Sequence, residues 1–323
     1  MTGQLSTPEH PGSMAPVAQQ IASLRSAGVD VDVVEIGGAG KRKYLRAIPA
    51  LRRRLAAADL IHAHFGYCGW VARCQAQRAV VVSFMGDDLL GTIDAGGRLT
   101  RRSRLVVQLN RLVARTLDAV IVKSAEMARI LAPVSAHVIP NGVDLHQFSA
   151  FDTAGAQAAL GWQLRTRYVL FPGNPRNPGK GFELCQRALR AAASRVSEPI
   201  ELVVLWGVPH DQVPLYMHAS DAMILGSFTE GSPNVVKEAM ACNLPVVSVP
   251  VGDVPELLAG VSSCAICPRD PQQLGAALAD ILERRQRSDG RLALLRHGLD
   301  QPSVARRVIA VYDSVLRRQR DGL

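Results

Sequence analysis

Aromatic side chains are scarce in this chain: Phe, Trp and Tyr make up 5% of its 323 residues. Proteins that bind single-stranded nucleic acid stack bases on such side chains, and the sequence contains no recognisable nucleic-acid module. A nucleic-acid-binding function is therefore the weaker interpretation of a basic chain, and a salt-dependent shift with DNA or RNA would revive it.

Long apolar runs are lacking as well. No run approaches the roughly 18 residues that cross a bilayer, and no N-terminal signal peptide is visible. These absences favour a cytoplasmic protein. A length of 323 residues is too great for one ordinary core and predicts about two domains.

Cysteines do not form an evident metal-binding set. We expect reduced, packed thiols, because the six cysteines are scattered through segments that are predicted to be buried: Cys68, Cys74, Cys185, Cys242, Cys264 and Cys267. Cys264 and Cys267 do have the spacing of a metal-ligand pair. With no second Cys or His pair nearby, a strand with two small side chains is favoured over a zinc site.

The net charge of +9 is unevenly distributed. Residues 1–150 carry 18 Lys and Arg against 11 Asp and Glu, whereas residues 151–323 carry 19 against 17. Much of the excess lies at residues 41–43, 46, 52–54 and 101–104, the last of which opens an apolar helical pattern. This pattern suggests contact with anionic lipid headgroups or an acidic acceptor, and a solvated Arg-rich surface is the alternative.

Strand and helix signals alternate along the chain, which predicts parallel sheets. Strands are predicted at residues 29–34, 60–64, 79–84, 119–123, 138–144, 168–173 and 221–226. Helices are predicted at residues 14–27, 44–57, 68–77, 105–116, 182–193 and 304–318. Residues 150–166, rich in Ala and Gly, are predicted to be a linker between two Rossmann-like halves.

The segment from Glu230 to Glu256 reads EGSPNVVKEAMACNLPVVSVPVGDVPE and combines several signals. It follows an apolar strand, so Glu230 is predicted in a loop at the carboxyl end of that strand, where open α/β sheets bind ligands. Ser232 is a credible N-cap, and Pro233 fits the first helical position. The N–H groups of Asn234 and Val235 would then suit a phosphate, with Glu238 on the same helix face.

This segment resembles the donor-binding motif of the retaining GT-B glycosyltransferases of family 4, in which two glutamates separated by seven residues precede a PVV strand. The resemblance implies that Glu230 contacts the transferred sugar and Glu238 the ribose hydroxyls. Donor contacts are implied in the segment between them, at Gly231, Ser232, Pro233, Asn234 and Val235. The alternative is an ordinary βαβ unit with an exposed glutamate at each end.

A second motif runs from Gly173 to Gly181, where a strand enters a Gly- and Pro-rich loop before a helix. Cations and backbone amides converge there and can neutralise a departing diphosphate. The resembling family uses an arginine close behind the glycine and a lysine before the helix. Lys180 matches that lysine, whereas the position after Gly173 is Asn174, so the arginine role passes to the displaced Arg176 or is absent.

The N-terminal half resembles the same family less completely. His64 ends a strand with the wording HAHFG and is a candidate contact for acceptor or donor, although a histidine there is as often structural. Met85 stands where many relatives have a donor-contacting histidine, so Asp87 or Asp88 takes over that contact or it is absent. The small-residue loop of the family is loosely matched by two further residues, Gly12 and Ser13.

The resemblance implies an α/β protein of the GT-B class, with two Rossmann-like domains facing a central cleft and a C-terminal helix crossing back. The expected boundaries are an acceptor-binding domain at 1–150, a nucleotide-sugar-binding domain at 151–302 and the returning helix at 303–323. Most of the family's first strand is missing, so either a shortened strand precedes Pro8 or the true start lies upstream. In either case we expect residues 1–12 to be poorly anchored and the N-terminal domain to be soft.

The implied function is retaining transfer of a sugar from a nucleotide diphosphate sugar to an acceptor hydroxyl, in glycan, glycolipid or polysaccharide biosynthesis. No cofactor and no metal are expected. The implied partners are the donor, an acceptor glycan, lipid-linked sugar or small molecule, and an anionic membrane surface at its inner face. A catalytically inactive sugar-nucleotide-binding homologue is the alternative.

Overall fold

The computed structural model describes residues 1–5, 14–38, 40–94, 97–149 and 152–322. The chain divides into two compact units. Unit 1 contains Met1–Thr92, Leu99–Gly142 and Gln301–Leu323, and unit 2 contains Ile93–Arg98 and Val143–Asp300. The chain therefore returns to unit 1 twice after leaving it.

Unit 1 is built around parallel strands. Its strands are β1 (Thr2–Gly3), β2 (Glu35–Ile36), β3 (Leu60–His64), β4 (Ala79–Ser83), β5 (Ala119–Val122) and β6 (His137–Val138). Its first helices are α1 (Ala15–Ser26), α2 (Arg42–Arg54), α3 (Gly66–Arg73), α4 (Asp87–Leu90), α5 (Arg101–Ala114) and α6 (Ala125–Leu131). Strands β3, β4, β5 and β6 pair in that order. Every residue of β4 and β5 is buried, which explains their continuous apolar sequences.

A shortened first strand is present in unit 1. β1 pairs with β2, with Thr2 opposite Glu35 and Gly3 opposite Ile36. On the other side, the N–H of His64 in β3 donates to the carbonyl of Met1 at 3.0 Å. The expectation that this segment is poorly anchored is therefore wrong for residues 1–3, and residues 6–13 lie outside the described part of the chain.

Residues 29–34, predicted to be an alternating strand, form none. The pairing of β1 reaches residues 35 and 36 only, so no ladder is available along the preceding residues. Arginine side chains bind their carbonyls instead: Arg25 donates to Val31 at 2.7 Å and Arg54 donates to Val33 at 2.9 Å. The predicted strand is thus an extended segment held by side chains.

Unit 2 has the same alternating plan. Its strands are β7 (Arg167–Phe171), β8 (Ile200–Val204), β9 (Ala222–Leu225), β10 (Val246–Ser248) and β11 (Ala265–Ile266). Its helices are α7 (Thr153–Ala159), α8 (Phe182–Ala193), α9 (Val213–Ala219), α10 (Asn234–Ala241), α11 (Val254–Leu257), α12 (Pro271–Arg284) and α13 (Gly290–Arg296). Helix α7 corrects the predicted linker at 150–166. It forms because the Asp152 carboxylate caps it, accepting from the Gly155 N–H at 2.8 Å.

The strand order of unit 2 is β11-β10-β9-β7-β8, and all pairs are parallel. From β7 the chain moves to β8 on one side, whereas β9 lies on the other side. The order therefore reverses between β7 and β9, and open α/β sheets bind ligands at the carboxyl ends of the strands beside such a switch point.

The last helix, α14 (Gln301–Arg320), belongs to unit 1 and packs against α1 and β4. Its buried face is apolar and consists of Val304, Ala305, Val308, Val311, Tyr312 and Val315. No helix that the structure describes is both long and apolar enough to cross a membrane.

Candidate active site

The loops that follow β7 and β9 meet at the switch point of unit 2. Gly181 has φ +67°, and a Cβ there would overlap the carbonyl oxygen of Gly226. A Cβ on Gly226 would lie 2.7 Å from the Cys185 sulfur. The Phe228 N–H donates to the Gly179 carbonyl at 2.9 Å. Only glycine permits this approach, and it places the residues that follow each strand side by side.

Lys180 and Glu230 form an ion pair across these two loops. The Lys180 Nζ lies 2.7 Å from Glu230 Oε1, although 50 residues separate the two in sequence. Lys180 is one-third exposed and Glu230 is mostly buried. Gly173 packs on the lysine stem, because a Cβ there would lie 3.2 Å from Lys180 Cγ. The two residues that the sequence predicted as catalytic from separate motifs are therefore brought together.

Arg176 lies in the same loop in a different setting. Its side chain is exposed and forms no ion pair with any carboxylate that the structure describes. The loop is closed by Asn174, whose Oδ1 accepts from the Arg176 N–H at 2.9 Å. Asn174 thus acts as a turn residue, and the catalytic role of Arg176 stays a prediction.

The start of α10 differs from the sequence prediction by one position. Pro233 is the N-cap residue, with no side-chain cap, and the helix begins at Asn234. Ser232 does not cap the helix, because its Oγ accepts a hydrogen bond from Lys237 Nζ at 3.0 Å. Asn234 and Val235 still occupy the first turn of α10, where backbone N–H groups favour an anion.

Lys237 is a buried cation that the sequence analysis missed. Burial lowers the pKa of its ammonium to about 8, against the raising effect of the Asp253 and Glu238 carboxylates. Asp253 is also affected: burial raises the pKa of its carboxyl, which the Lys237 charge and a hydrogen bond with Ser232 oppose. Lys237 therefore links the start of α10 electrostatically to the loop after β10.

The loop after β10 also packs directly against the loop of Glu230. Gly252 has φ +56°, and a Cβ there would lie 2.7 Å from the carbonyl oxygens of both Glu230 and Gly231. A larger residue would push the two loops apart. The position of the Glu230 backbone is therefore fixed from two sides, by the loops after β7 and β10.

Glu238 lies in the second turn of α10 and is mostly buried. Its Oε1 is 2.9 Å from His210 Nε2, and the Gln147 amide donates to the His210 carbonyl at 2.9 Å. Burial lowers the pKa of His210, but the hydrogen bond and negative charge of Glu238 outweigh burial, so the pKa is raised. His210 holds the carboxylate in place. Its sequence signal was its position shortly after β8, beside β7, where the carboxyl-end argument also applies.

His64 ends β3 in unit 1, and its ring is buried with Nδ1 unpaired among the described residues. Burial holds the pKa of His64 well below its usual range, and the same is true of His62. His62 is fully engaged, with Nδ1 2.5 Å from the Tyr312 hydroxyl and Nε2 2.8 Å from Ser83 Oγ. His64 is thus a neutral imidazole with hydrogen-bonding capacity left over, which is costly unless a ligand uses it.

Met85 follows β4, the neighbour of β3. Its N–H and that of Gly86 donate to the Asp88 carboxylate at 3.0 Å, and the Gly66 N–H donates at 3.1 Å. Burial raises the pKa of Asp88 to about 6, against these backbone hydrogen bonds. Asp88 ties the two strand ends together, so exposed Asp87 is the better of the two replacements for the contact absent at Met85.

Gly12 and Ser13, predicted to approach the donor phosphates, lie outside the described residues. Within the described residues, no group of three or more His, Cys, Asp or Glu side chains could hold a metal ion. Cys264 and Cys267 flank the short strand β11, as the sequence indicated.

Comparison with known proteins assigns both halves of the chain. Residues 167–284 match the family described as "Glycosyl transferases group 1", and residues 18–147 match "Glycosyltransferase Family 4". The putative teichuronic acid biosynthesis glycosyltransferase TuaC of Bacillus subtilis is 28% identical over 280 residues, which cover 73% of this chain and 69% of TuaC. A D-inositol 3-phosphate glycosyltransferase of Segniliparus rotundus is 26% identical over 303 residues, which cover 80% of this chain and 67% of that protein.

Solved structures agree on the fold. The crystal structure of Anabaena Alr3699/HepE in complex with UDP and glucose matches with a TM-score of 0.70 at 17% identity, covering 97% of this chain and 99% of that one. The chain spans about two thirds of the length of the two curated relatives. The two family matches together take in most of the chain, and the protein is therefore an enzyme of glycosyltransferase family 4 with the GT-B fold.

Proposed function

We propose that this enzyme transfers a sugar from a nucleotide diphosphate sugar to an acceptor hydroxyl with retention of the anomeric configuration. The observation that carries the proposal is the Lys180–Glu230 pair, 2.7 Å apart at the switch point of unit 2 and next to the start of α10. A cation, a carboxylate and a helix N-terminus are the groups that a sugar diphosphate needs. The crystallised relative from Anabaena, whose complex contains UDP and glucose, supports a donor of this class.

In the proposed complex, the donor diphosphate lies against Lys180 and the first turn of α10. Glu238, held by His210 at 2.9 Å, binds the ribose hydroxyls. Glu230 binds hydroxyls of the transferred sugar and exchanges part of its contact with Lys180 for the ligand. The charge that builds on the diphosphate during bond breaking is then stabilised by groups that are already in position.

The proposed chemistry uses one face of the sugar. The bond between the anomeric carbon and the diphosphate oxygen breaks, and the acceptor oxygen bonds to the same carbon on the same side. A phosphate oxygen of the leaving group takes the acceptor proton, so protein residues need only bind, orient and stabilise charge. This step follows the family resemblance and makes an Asp or His general base unnecessary.

We propose that no metal takes part, because Lys180 and the α10 amides are placed to neutralise the diphosphate. Activity retained in excess EDTA would support this proposal, and activity that is lost and then restored by Mg²⁺ or Mn²⁺ would contradict it. The relative TuaC carries the printed description of teichuronic acid biosynthesis. A role in glycan, glycolipid or polysaccharide synthesis is proposed by that analogy.

The decisive experiment is a panel of nucleotide diphosphates and nucleotide sugars, assayed by thermal shift of the full chain. A ligand at 100 times its Kd adds about 2.7 kcal/mol to the free energy of unfolding. Donors that raise Tm are then incubated with candidate acceptors, and the anomeric configuration of the product is determined by NMR. The absence of any shift, or a product with inverted configuration, would overturn the proposal.

A further inference from the structure

Helix α5 in unit 1 has its polar side buried. Ser103 and Asn110 are almost fully buried and bind neighbouring backbone: Ser103 Oγ accepts from the Thr92 N–H at 2.7 Å, and the Asn110 amide donates to the Asp88 carbonyl at 2.7 Å. These contacts fix the rotation of the helix about its axis. The apolar residues of α5 are consequently turned away from the core.

Three leucines form a row on the outward side of α5. Leu105, Leu109 and Leu112 are 61%, 38% and 56% exposed. Their spacing of four and then three residues places them on one helix face, one above the other. The opposite face holds the buried residues Ser103 and Asn110, so the helix is amphipathic in the inverted sense. We call this set of three the leucine row.

Arginines surround the leucine row. The helix and its C-cap carry Arg101, Arg102, Arg104, Arg111 and Arg115 and no acidic residue. Within the described residues none of these arginines forms an ion pair with a carboxylate. The one side-chain hydrogen bond described for the group joins Arg111 to Gln108 at 3.3 Å. Their positive charge is therefore available to a partner.

We propose that the leucine row and its arginines form a docking surface for an anionic lipid bilayer. Leucines on a surface helix can enter the boundary between headgroups and acyl chains, while flanking arginines bind lipid phosphates. A second copy of this chain would place like charges against each other, and nucleic acid offers no apolar layer for the leucines. A bilayer of anionic lipid satisfies both halves of the surface.

The test is co-sedimentation of the full chain with vesicles, which does not depend on sugar transfer. Vesicles of equal parts phosphatidylglycerol and phosphatidylcholine should bind the wild-type protein at low salt, and vesicles of phosphatidylcholine alone should not. Binding should weaken as salt shortens the Debye length from about 10 Å at 0.1 M to about 3 Å at 1 M. Equal binding to both vesicle types, or none to either, would overturn the proposal.

A variant separates the leucines from the charge. Replacing Leu105, Leu109 and Leu112 together by glutamine keeps all arginines and good helix formers, and should weaken binding to the anionic vesicles at least about tenfold. A control variant with Leu164→Gln and Leu292→Gln removes leucines that are 79% and 62% exposed in unit 2, and should bind like the wild type. Wild-type binding by the triple variant would show that the row does not insert.

A second pair of variants tests whether the charge acts locally. Arg101→Glu with Arg104→Glu should weaken binding at least about tenfold, because lipid phosphates lose their partners at the docking surface. Arg187→Glu with Arg190→Glu in α8 changes the net charge equally and should have a much smaller effect. Equal losses for the two pairs would show that net charge alone drives binding. A wild-type dimer that the triple leucine variant converts to a monomer would assign the row to a second copy of the chain.

Discussion

Lys180 and Arg176 share one loop, but only Lys180 contacts the carboxylate of Glu230. We expect Lys180→Ala to lower kcat on the order of 100-fold, with a smaller change in donor Kd, because its charge matters most when the diphosphate departs. Arg176→Ala should reduce kcat much less, since its side chain is exposed. Steady-state kinetics with a donor titration would measure both. A loss confined to KM in Lys180→Ala would contradict this role.

Glu238 should act in binding the ribose. Glu238→Ala removes a carboxylate that His210 holds in place, and donor binding should weaken by about 1–3 kcal/mol. Isothermal titration with the nucleotide sugar measures this change, and urea unfolding checks that the fold is retained. Glu283→Ala, at an exposed position of α12, is the matched control. Unchanged affinity in Glu238→Ala would remove the residue from the site.

Lys237 gives the protein a pH-dependent stability. Its pKa falls from 10.5 to about 8 in the folded state, so between these values the unfolded chain holds a proton that the folded chain has lost. The free energy of unfolding contributed by this residue therefore rises with pH across that window. Urea unfolding at about pH 7 and about pH 10 should show the difference between wild type and Lys237→Met moving in favour of the wild type. A pH-independent difference would contradict the shifted pKa.

Lys237 also shows where reasoning from the sequence ends. A lysine beside Glu238 on a helix is ordinarily solvated, and no local pattern announces that its ammonium is fully buried. Its burial depends on Ser232 and Asp253, which reach it from two different loops. The glutamates, by contrast, could be assigned from sequence because a strand, a proline and the glutamate spacing occur together within one short segment.

Among the elements, the close approach of the loops after β7 and β9 depends on glycine. Gly181→Ala should destabilise the protein by about 1–2 kcal/mol for its left-handed backbone and by about 1–3 kcal/mol more for overlap with Gly226. Gly207→Ala is the control, because its φ is +78° and nothing lies within 4 Å of a Cβ there. Urea unfolding compares the two. Equal destabilisation would show that the loops have room to separate.

The elements that the sequence predicted well are those with strong local signals. β3 was predicted at its observed bounds, and α8 likewise, because each has a clear apolar pattern. Residues 29–34 failed although they alternate perfectly, because a strand also needs a neighbour with which to pair. Helix α7 was missed for the opposite reason: its Ala- and Gly-rich sequence carries little apolar pattern, and the Asp152 cap decides it.

For the molecule as a whole, we expect unit 2 to unfold after unit 1. β7 lies between β8 and β9, whereas β3 pairs along its length with β4 and on its other side meets only the short segment at Met1. Hydrogen exchange followed by mass spectrometry should therefore show greater protection in β7 than in β3. Equal or greater protection in β3 would mean that the short β1 costs little.

The path of the chain has a consequence for how the enzyme is made. Unit 1 is completed by α14, whose Tyr312 hydroxyl is bonded to His62, 250 residues earlier. During translation the apolar face that α14 covers on unit 1 stays open until unit 2 has been synthesised. Unit 2 can meanwhile gather its own strands without waiting for the last helix. A nascent chain should therefore present its first half to chaperones for most of its synthesis, and ribosome stalling before Gln301 should leave that half protease-sensitive.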